Sequence, residues 1–214
     1  MTTETKKKPD DNYGKIIKAA SEEFAEKGYE GARVDEIARR ARVNKATLYY
    51  HVGDKAALYE SALLKIFKDM EAELSDNVDN AVTPDKKLKT LVTTIAKNIM
   101  SSQFFAPTML REIASGGQNL PKDVFLAMSR IVAILHSILD KGEKEGVFVK
   151  PNILVTHLMI IGALNFCAMK KLVIQQGESS GALTGDPFIN ESWETVGEYV
   201  AETLINGLKV RKQV

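Results

Sequence analysis

The chain has a single cysteine, Cys167, so no internal disulfide can form and a small secreted domain held by disulfide bridges is excluded. Charge of one sign is also missing. Lys and Arg number 29 and Asp and Glu 28, a formal net charge of +1. This excludes a protein coated in positive charge but leaves room for a local basic patch. Histidine is scarce: only His51, His136 and His157 occur, with no His-Glu-x-x-His or comparable ligand spacing, so neither a bound metal nor a cofactor is expected. Strand-like alternation is absent, since Val147-Phe148-Val149 is too short to build a sheet. The longest apolar run, about 153–169, contains His157 and Asn165 and is short for a bilayer. A buried helix is therefore expected there, with no membrane partner. The Gly-rich stretch at Gly177, Gly181 and Gly185 lacks the Gly-Lys-Ser/Thr ending of a phosphate loop. Residues 1–11, with Lys6-Lys7-Lys8 before Pro9, have no apolar stretch of a targeting signal. They are read as a flexible basic arm, and the protein is expected to be cytoplasmic.

What is present is helical. Hydrophobic residues make up 44% and charged residues 27%, enough apolar material for a core. Tyr13, Ile16, Ile17, Ala20 and Phe24 recur at three and four residues, the spacing of one helix face, and Gly28 can end that helix. Tyr59, Leu63, Ile66, Phe67, Met70 and Leu74 repeat the pattern behind a capping Asp54. Thr83-Pro84 is a start signal for the stripe Leu88, Leu91, Val92, Ile95, Ile99. Further helices run from Phe125 to Leu139, stopping near Gly142 or Gly146, from Pro151-Asn152 to about Gln175, and from Trp193 to Leu208.

The most informative stretch is Val34 to Leu58. Val34, Ile37, Ala38 and Ala41 form a short apolar face, Arg42-Val43-Asn44 breaks it, and Lys45 to His51 can form a second short helix with Leu48 turned inward. Two short helices joined by a tight turn behind a longer one make a DNA-reading unit. The outward residues of the second helix are Lys45, Ala46, Thr47, Tyr49, Tyr50 and His51. Lysine can meet a phosphate or a guanine edge, hydroxyls can bond phosphates, and alanine can touch a thymine methyl. Arg33, Arg39, Arg40 and Arg42 add local positive charge hidden by the overall balance.

The order Phe24-Ala25-Glu26-Lys27-Gly28-Tyr29-Glu30-Gly31, Ile37-Ala38, Val43 through His51 and Asp54-Lys55-Ala56-Ala57-Leu58 closely resembles the DNA-binding domain of TetR-family transcriptional regulators. The resemblance implies an all-α fold of about nine helices. A homeodomain-like three-helix domain (12–54) would bind DNA, and a helical domain (55–214) would sense a ligand and dimerise. It also implies Lys45, Ala46, Thr47 and Tyr49 at or near the bases, and Tyr50, His51 and Lys55 near phosphates; Arg33 and Arg42 join the DNA-binding candidates through their charge alone. The chain departs from the family pattern in three places. Ala32-Arg33 stands where Thr or Ser commonly caps the second helix, Arg42 where the turn often has Gly, and Val52 where Phe is frequent. The missing cap is worth ~1 kcal/mol.

For the second domain the resemblance implies a small-molecule effector. Met100, Phe104, Phe105, Met109 and Met128 supply large, adaptable apolar groups, as do Leu135, Met159, Phe166 and Met169. Polar groups that can orient a ligand are few: Gln103, Arg111, His136, His157 and Asn165. A pocket of this composition suits a hydrophobic or amphipathic molecule. The same residues can instead be plain core, and sequence does not separate the two readings. The last two long helices are the candidate homodimer interface, where Gly197, Ala201 and Gly207 permit close approach. Such a dimer would bind a palindromic operator on double-stranded DNA, most simply as a repressor released by its effector. Two alternatives stay open: a DNA-binding factor controlled by a protein partner or by no ligand, and, remotely, a helical enzyme. Against the enzyme, Cys167 lies in an apolar helix as expected of inert core, and no catalytic cluster can be read.

Overall fold

A computed structural model describes residues 12–181 and 191–210; the basic arm (1–11) and most of the Gly/Ser-rich loop (182–190) lie outside the described residues. Among the described residues nine helices form: α1 (Asn12–Gly31), α2 (Val34–Ala41), α3 (Lys45–Val52), α4 (Lys55–Asp79), α5 (Pro84–Ser101), α6 (Phe105–Ala114), α7 (Lys122–Lys144), α8 (Ile153–Ser179) and α9 (Trp193–Leu208). The chain divides into two compact units, one through Leu63 and one from Leu64 onward. Helix α4 crosses that boundary.

In the first unit the stripe predicted for α1 is the core except at Tyr13, which is exposed in the first turn. Ile16, Ile17, Ala20 and Phe24 are buried together with Ile37 and Ala38 of α2, Leu48 of α3, and Leu58 and Tyr59 of α4. The Phe24 and Tyr59 rings meet edge to face at 4.6 Å, and Tyr29 stands 5.0 Å from Tyr59. The backbone of α1 leaves helical geometry at Gly28 (φ 70°, ψ 175°), a conformation that glycine adopts without strain, and one further turn follows to Gly31.

In the second unit α5 is the most enclosed helix, with Leu88, Leu91, Val92, Ile95 and Ile99 all buried. Helix α9 lies against it so closely that a Cβ on Gly197 would stand 2.8 Å from the Ala96 Cβ. Gly197 and Ala201 are thus used within the chain, whereas Gly207 faces open space. The segment after α7 folds back: Phe148 is buried over Gly142, and Val149 N donates to Leu208 O at 2.7 Å. The apolar triplet 147–149 therefore forms one isolated bridge, Phe148 to Lys209. Asn152 Oδ1 caps α8 by accepting from Val155 N at 3.0 Å, and Ser192 caps α9 through Thr195 N at 3.2 Å.

Helix α8 buries Thr156, Ile160, Leu164, Asn165 and Ala168 on one side. On the other it leaves Leu154, Leu158, Met159, Phe166 and Val173 exposed. Cys167 is exposed on α8 too, which corrects its expected place in the core: helical phase turns it outward beside Phe166. Among the described residues α8 is the one helix long and apolar enough to cross a membrane, by length and composition alone.

Candidate functional site

The reading head is assembled around Arg40. Its guanidinium lies 3.0 Å from the buried Glu23 carboxylate, donates to Glu26 Oε1 at 2.8 Å, and donates to Glu36 Oε1 at 3.1 Å. These pairs tie α2 to α1. Glu23 has a second task. The residue preceding α2, Arg33, has no capping side chain, and its backbone N–H donates to Glu23 Oε1 at 3.3 Å. A carboxylate from the neighbouring helix thus holds the N–H of the residue before α2 and places negative charge near that helix N-terminus, where it is favoured, while the N–H groups that a Ser or Thr would bond receive no side-chain cap. Arg39 is likewise engaged, donating to Glu36 at 2.6 Å and 2.8 Å. The two hydrogen-bonding arginines hold the Glu36 carboxyl down to about 2. Of the local positive charge legible in the sequence, Arg39 and Arg40 are therefore neutralised internally. The Arg33 and Arg42 side chains are exposed and form no ion pair among the described residues.

The turn is made by Arg42 in the left-handed region (φ 57°, ψ 40°), with Val43 N donating back to Ala38 O at 3.1 Å. Asn44 then caps α3, its Oδ1 accepting from Thr47 N at 2.7 Å. From that start helical phase decides the rest. Leu48 and Val52 turn into the core, Thr47 is half-buried, and Lys45, Ala46, Tyr49, Tyr50 and His51 face solvent. Tyr50 is 87% exposed, and its ring meets that of His51 edge to face at 5.4 Å. Lys45 Nζ lies 2.8 Å from Asp35 Oδ1 and 6.0 Å from the Tyr49 ring centre. Asp54 caps α4 through Ala57 N at 2.9 Å. Lys55 is drawn inward: its Nζ donates to the Glu30 carbonyl at 3.1 Å and sits 5.0 Å over the Tyr29 ring.

The second unit contains a cavity of about 130 Å³. Phe67 and Met70 of α4 and Ile95 and Ile99 of α5 line one part of it. Phe105, Met109 and Ile113 of α6, Met128, Ile131 and Val132 of α7, and Ile161 of α8 line the rest. The polar residues on its wall are Ser129, His157 and Asn165. Burial lowers the pKa of His157, which favours the neutral ring. Of the residues marked by sequence for a pocket, Phe105, Met109, Met128, His157 and Asn165 meet here. Met100 and Phe104 border a separate, more polar groove with Gln103, Lys171 and Gln175. Leu135 is buried in α7 away from the cavity lining, Met169 is half-buried, and His136, Met159 and Phe166 face outward. Helical phase separates these groups, and composition alone cannot reveal phase on α8, where nearly every position is apolar. The lining isoleucines carry no sequence signal that distinguishes them from core.

Residues 16–62 match the family model of the bacterial regulatory proteins of the tetR family. The chain is 30% identical over 149 residues to the HTH-type transcriptional repressor NicS of Pseudomonas putida, covering 68% of this chain and 69% of that one. Its fold is similar to that of the ketosteroid transcriptional regulator KstR2 of Mycobacterium tuberculosis, with a TM-score of 0.74 at 17% identity over 95% of this chain and 98% of the other. It is also similar to the transcriptional regulator FadR of Bacillus subtilis, solved in complex with stearoyl-CoA, with a TM-score of 0.68 at 20% identity over 91% and 98%. A helix-turn-helix with its reading face bare of core contacts, in a chain alike over two thirds of its length to a repressor of this kind, has one assignment: the protein is a DNA-binding transcriptional regulator of the TetR family.

Proposed function

We propose that the protein is a cytoplasmic repressor that binds a palindromic operator as a homodimer and is released by a small, largely hydrophobic effector, and that it is not an enzyme. Residues 12–54 serve as the reading head, and 55–214 sense the effector and dimerise. The observation that carries the DNA reading is the division of α3, whose apolar side chains pack inward while Lys45, Ala46, Tyr49, Tyr50 and His51 stay in solvent. Lys45, Ala46, Thr47 and Tyr49 take the bases, and Tyr50 and His51 the phosphates, with Arg33 and Arg42 as flanking cations. Lys55 acts at the edge of this surface, because part of its donor capacity is spent on Glu30.

The exposed apolar face of α8 supports the homodimer. Leu154, Leu158, Phe166 and Val173 are each more than half exposed, and a second copy of α8 and α9 would cover them in a four-helix bundle. The cavity supports the effector, as does the similarity in fold to FadR, which was solved in complex with stearoyl-CoA, a molecule with a long apolar chain. The covalent path from the sensing unit to the reading head is α4. An effector that prefers a conformation with poor operator fit competes with DNA by linkage.

A salt-dependent titration with labelled DNA from the protein's own upstream region, against scrambled DNA, tests this reading. Preferential binding that is lost in the Lys45→Ala, Tyr49→Ala double variant is the expected result. Equal, weak and steeply salt-dependent binding to both DNAs by wild type would remove the operator reading for that region.

A further inference from the structure

The cavity in the second unit has a chemical asymmetry that goes beyond being apolar. Asn165 is 2% exposed. Its Nδ2 donates to Ile161 O at 2.8 Å, one turn earlier on α8, which fixes the amide so that Oδ1 is the free end. That oxygen is buried and accepts no hydrogen bond among the described residues. Ser129, by contrast, is satisfied, its hydroxyl donating to Leu126 O at 2.8 Å. His157 lies two turns before Asn165, so 157, 161 and 165 stack on one face of α8 toward the same space. No Lys, Arg, Asp or Glu lines the cavity. An ionised ligand would therefore be buried without a counter-charge, the least favourable arrangement available to it. The volume is a second guide. A dry apolar cavity of roughly 150 Å³ holds one benzene ring, and this space is of similar size, about 130 Å³, with Ser129 and Ile113 at its open side.

We propose that this cavity selects a compact, uncharged, single-ring molecule bearing one hydrogen-bond donor, a simple phenol in chemical class, and that Asn165 Oδ1 is the acceptor that reads the donor. The inference rests on the reading of the second unit as a sensor and narrows it. The ring fills the space between α5, α6 and α7, and the hydroxyl satisfies the Asn165 oxygen, which accepts no hydrogen bond among the described residues. A hydrocarbon of equal size fills the space but leaves that oxygen unpaired. A carboxylate of equal size brings an unpaired charge.

Isothermal titration of the full chain with phenol, toluene and benzoate tests this, using wild type and the near-isosteric Asn165→Leu variant. In wild type, phenol should bind about ten-fold more tightly than toluene, the effect of one hydrogen bond to an otherwise unpaired buried group, and benzoate most weakly. In Asn165→Leu the phenol preference should vanish while toluene binds as well or better. Toluene equal to phenol in wild type, or benzoate the tightest, overturns the inference, and neither comparison depends on the variant folding. The same samples are titrated with upstream DNA. Asn165-dependent phenol selection with no change in DNA affinity sustains the inference and removes the effector reading. DNA release by larger amphipathic molecules with no phenol binding does the reverse.

Discussion

Lys45 Nζ and Asp35 Oδ1 stand 2.8 Å apart, so the cation at the head of the reading helix has a carboxylate partner before DNA arrives. The pairing raises the Lys45 pKa and lowers that of Asp35, and both groups are exposed. In the proposed complex Lys45 turns to a phosphate or a base edge, and Asp35 is left as an unpaired negative charge facing the backbone. Asp35→Asn should therefore tighten binding to operator and scrambled DNA alike by several-fold. The slope of log affinity against log salt should steepen by up to about one. Parallel titrations at three salt concentrations would detect this, and an unchanged slope would count against Lys45 as a phosphate or base contact.

The Glu36 carboxyl is held at about 2 against an ordinary value of 4.5 by the Arg39 and Arg40 guanidiniums. Its folded value lies below its unfolded one, so its contribution is fully present above about 4.5 and is lost as pH falls through about 2. The Tm difference between wild type and Glu36→Gln should be constant near neutrality and shrink through that window. Because the group is exposed, the difference is expected to be small and to fall further in high salt. Thermal melts by circular dichroism at closely spaced pH values measure it.

A Cβ added at Gly142 would stand 2.1 Å from Phe148 Cδ2, and Phe148 is 2% exposed. Gly142→Ala should destabilise the protein by about 1–3 kcal/mol in urea unfolding, through overpacking alone. Phe148→Leu in the same chain should recover part of that loss. A fully additive pair would mean that the contact is not the cause.

Phe166 is 68% exposed on the outer face of α8. Phe166→Glu should convert a dimer into a monomer in sedimentation velocity and lower operator affinity, because one head alone loses the second half-site. Val82→Glu, at a residue 80% exposed between α4 and α5, should leave the assembly unchanged. A Phe166→Glu protein that remains dimeric would move the interface elsewhere.

Much of this molecule is written in local signals. Asn44, Asp54, Asn152 and Ser192 each cap the helix that follows. The stripe of α1 and the inward turn of Leu48 follow from a period of 3.6 residues. Helix α6 carries weaker signals: no side chain caps it at Phe104, and only Pro107 in its first turn marks a start. The engagement of Arg40 was not legible, because it depends on Glu23 and Glu26, which reach α2 only once α1 packs against it, whereas Arg39 pairs locally with Glu36. The pocket was half legible for a related reason. On a helix as uniformly apolar as α8, composition names the residues but not the side they face, so Asn165 ends inside and Phe166 outside although they are neighbours.

Arg42 holds φ at 57°, a conformation that costs a residue with a side chain roughly 1 kcal/mol and costs glycine almost nothing. With the DNA contact proposed for Arg42, position 42 is where selection for staying folded and selection for finding DNA pull in opposite directions. A directed-evolution campaign scored on heat resistance alone would be drawn toward Arg42→Gly and would return sturdier proteins that hold their operator less well. The same campaign scored on DNA capture would keep the arginine and tolerate the strained turn.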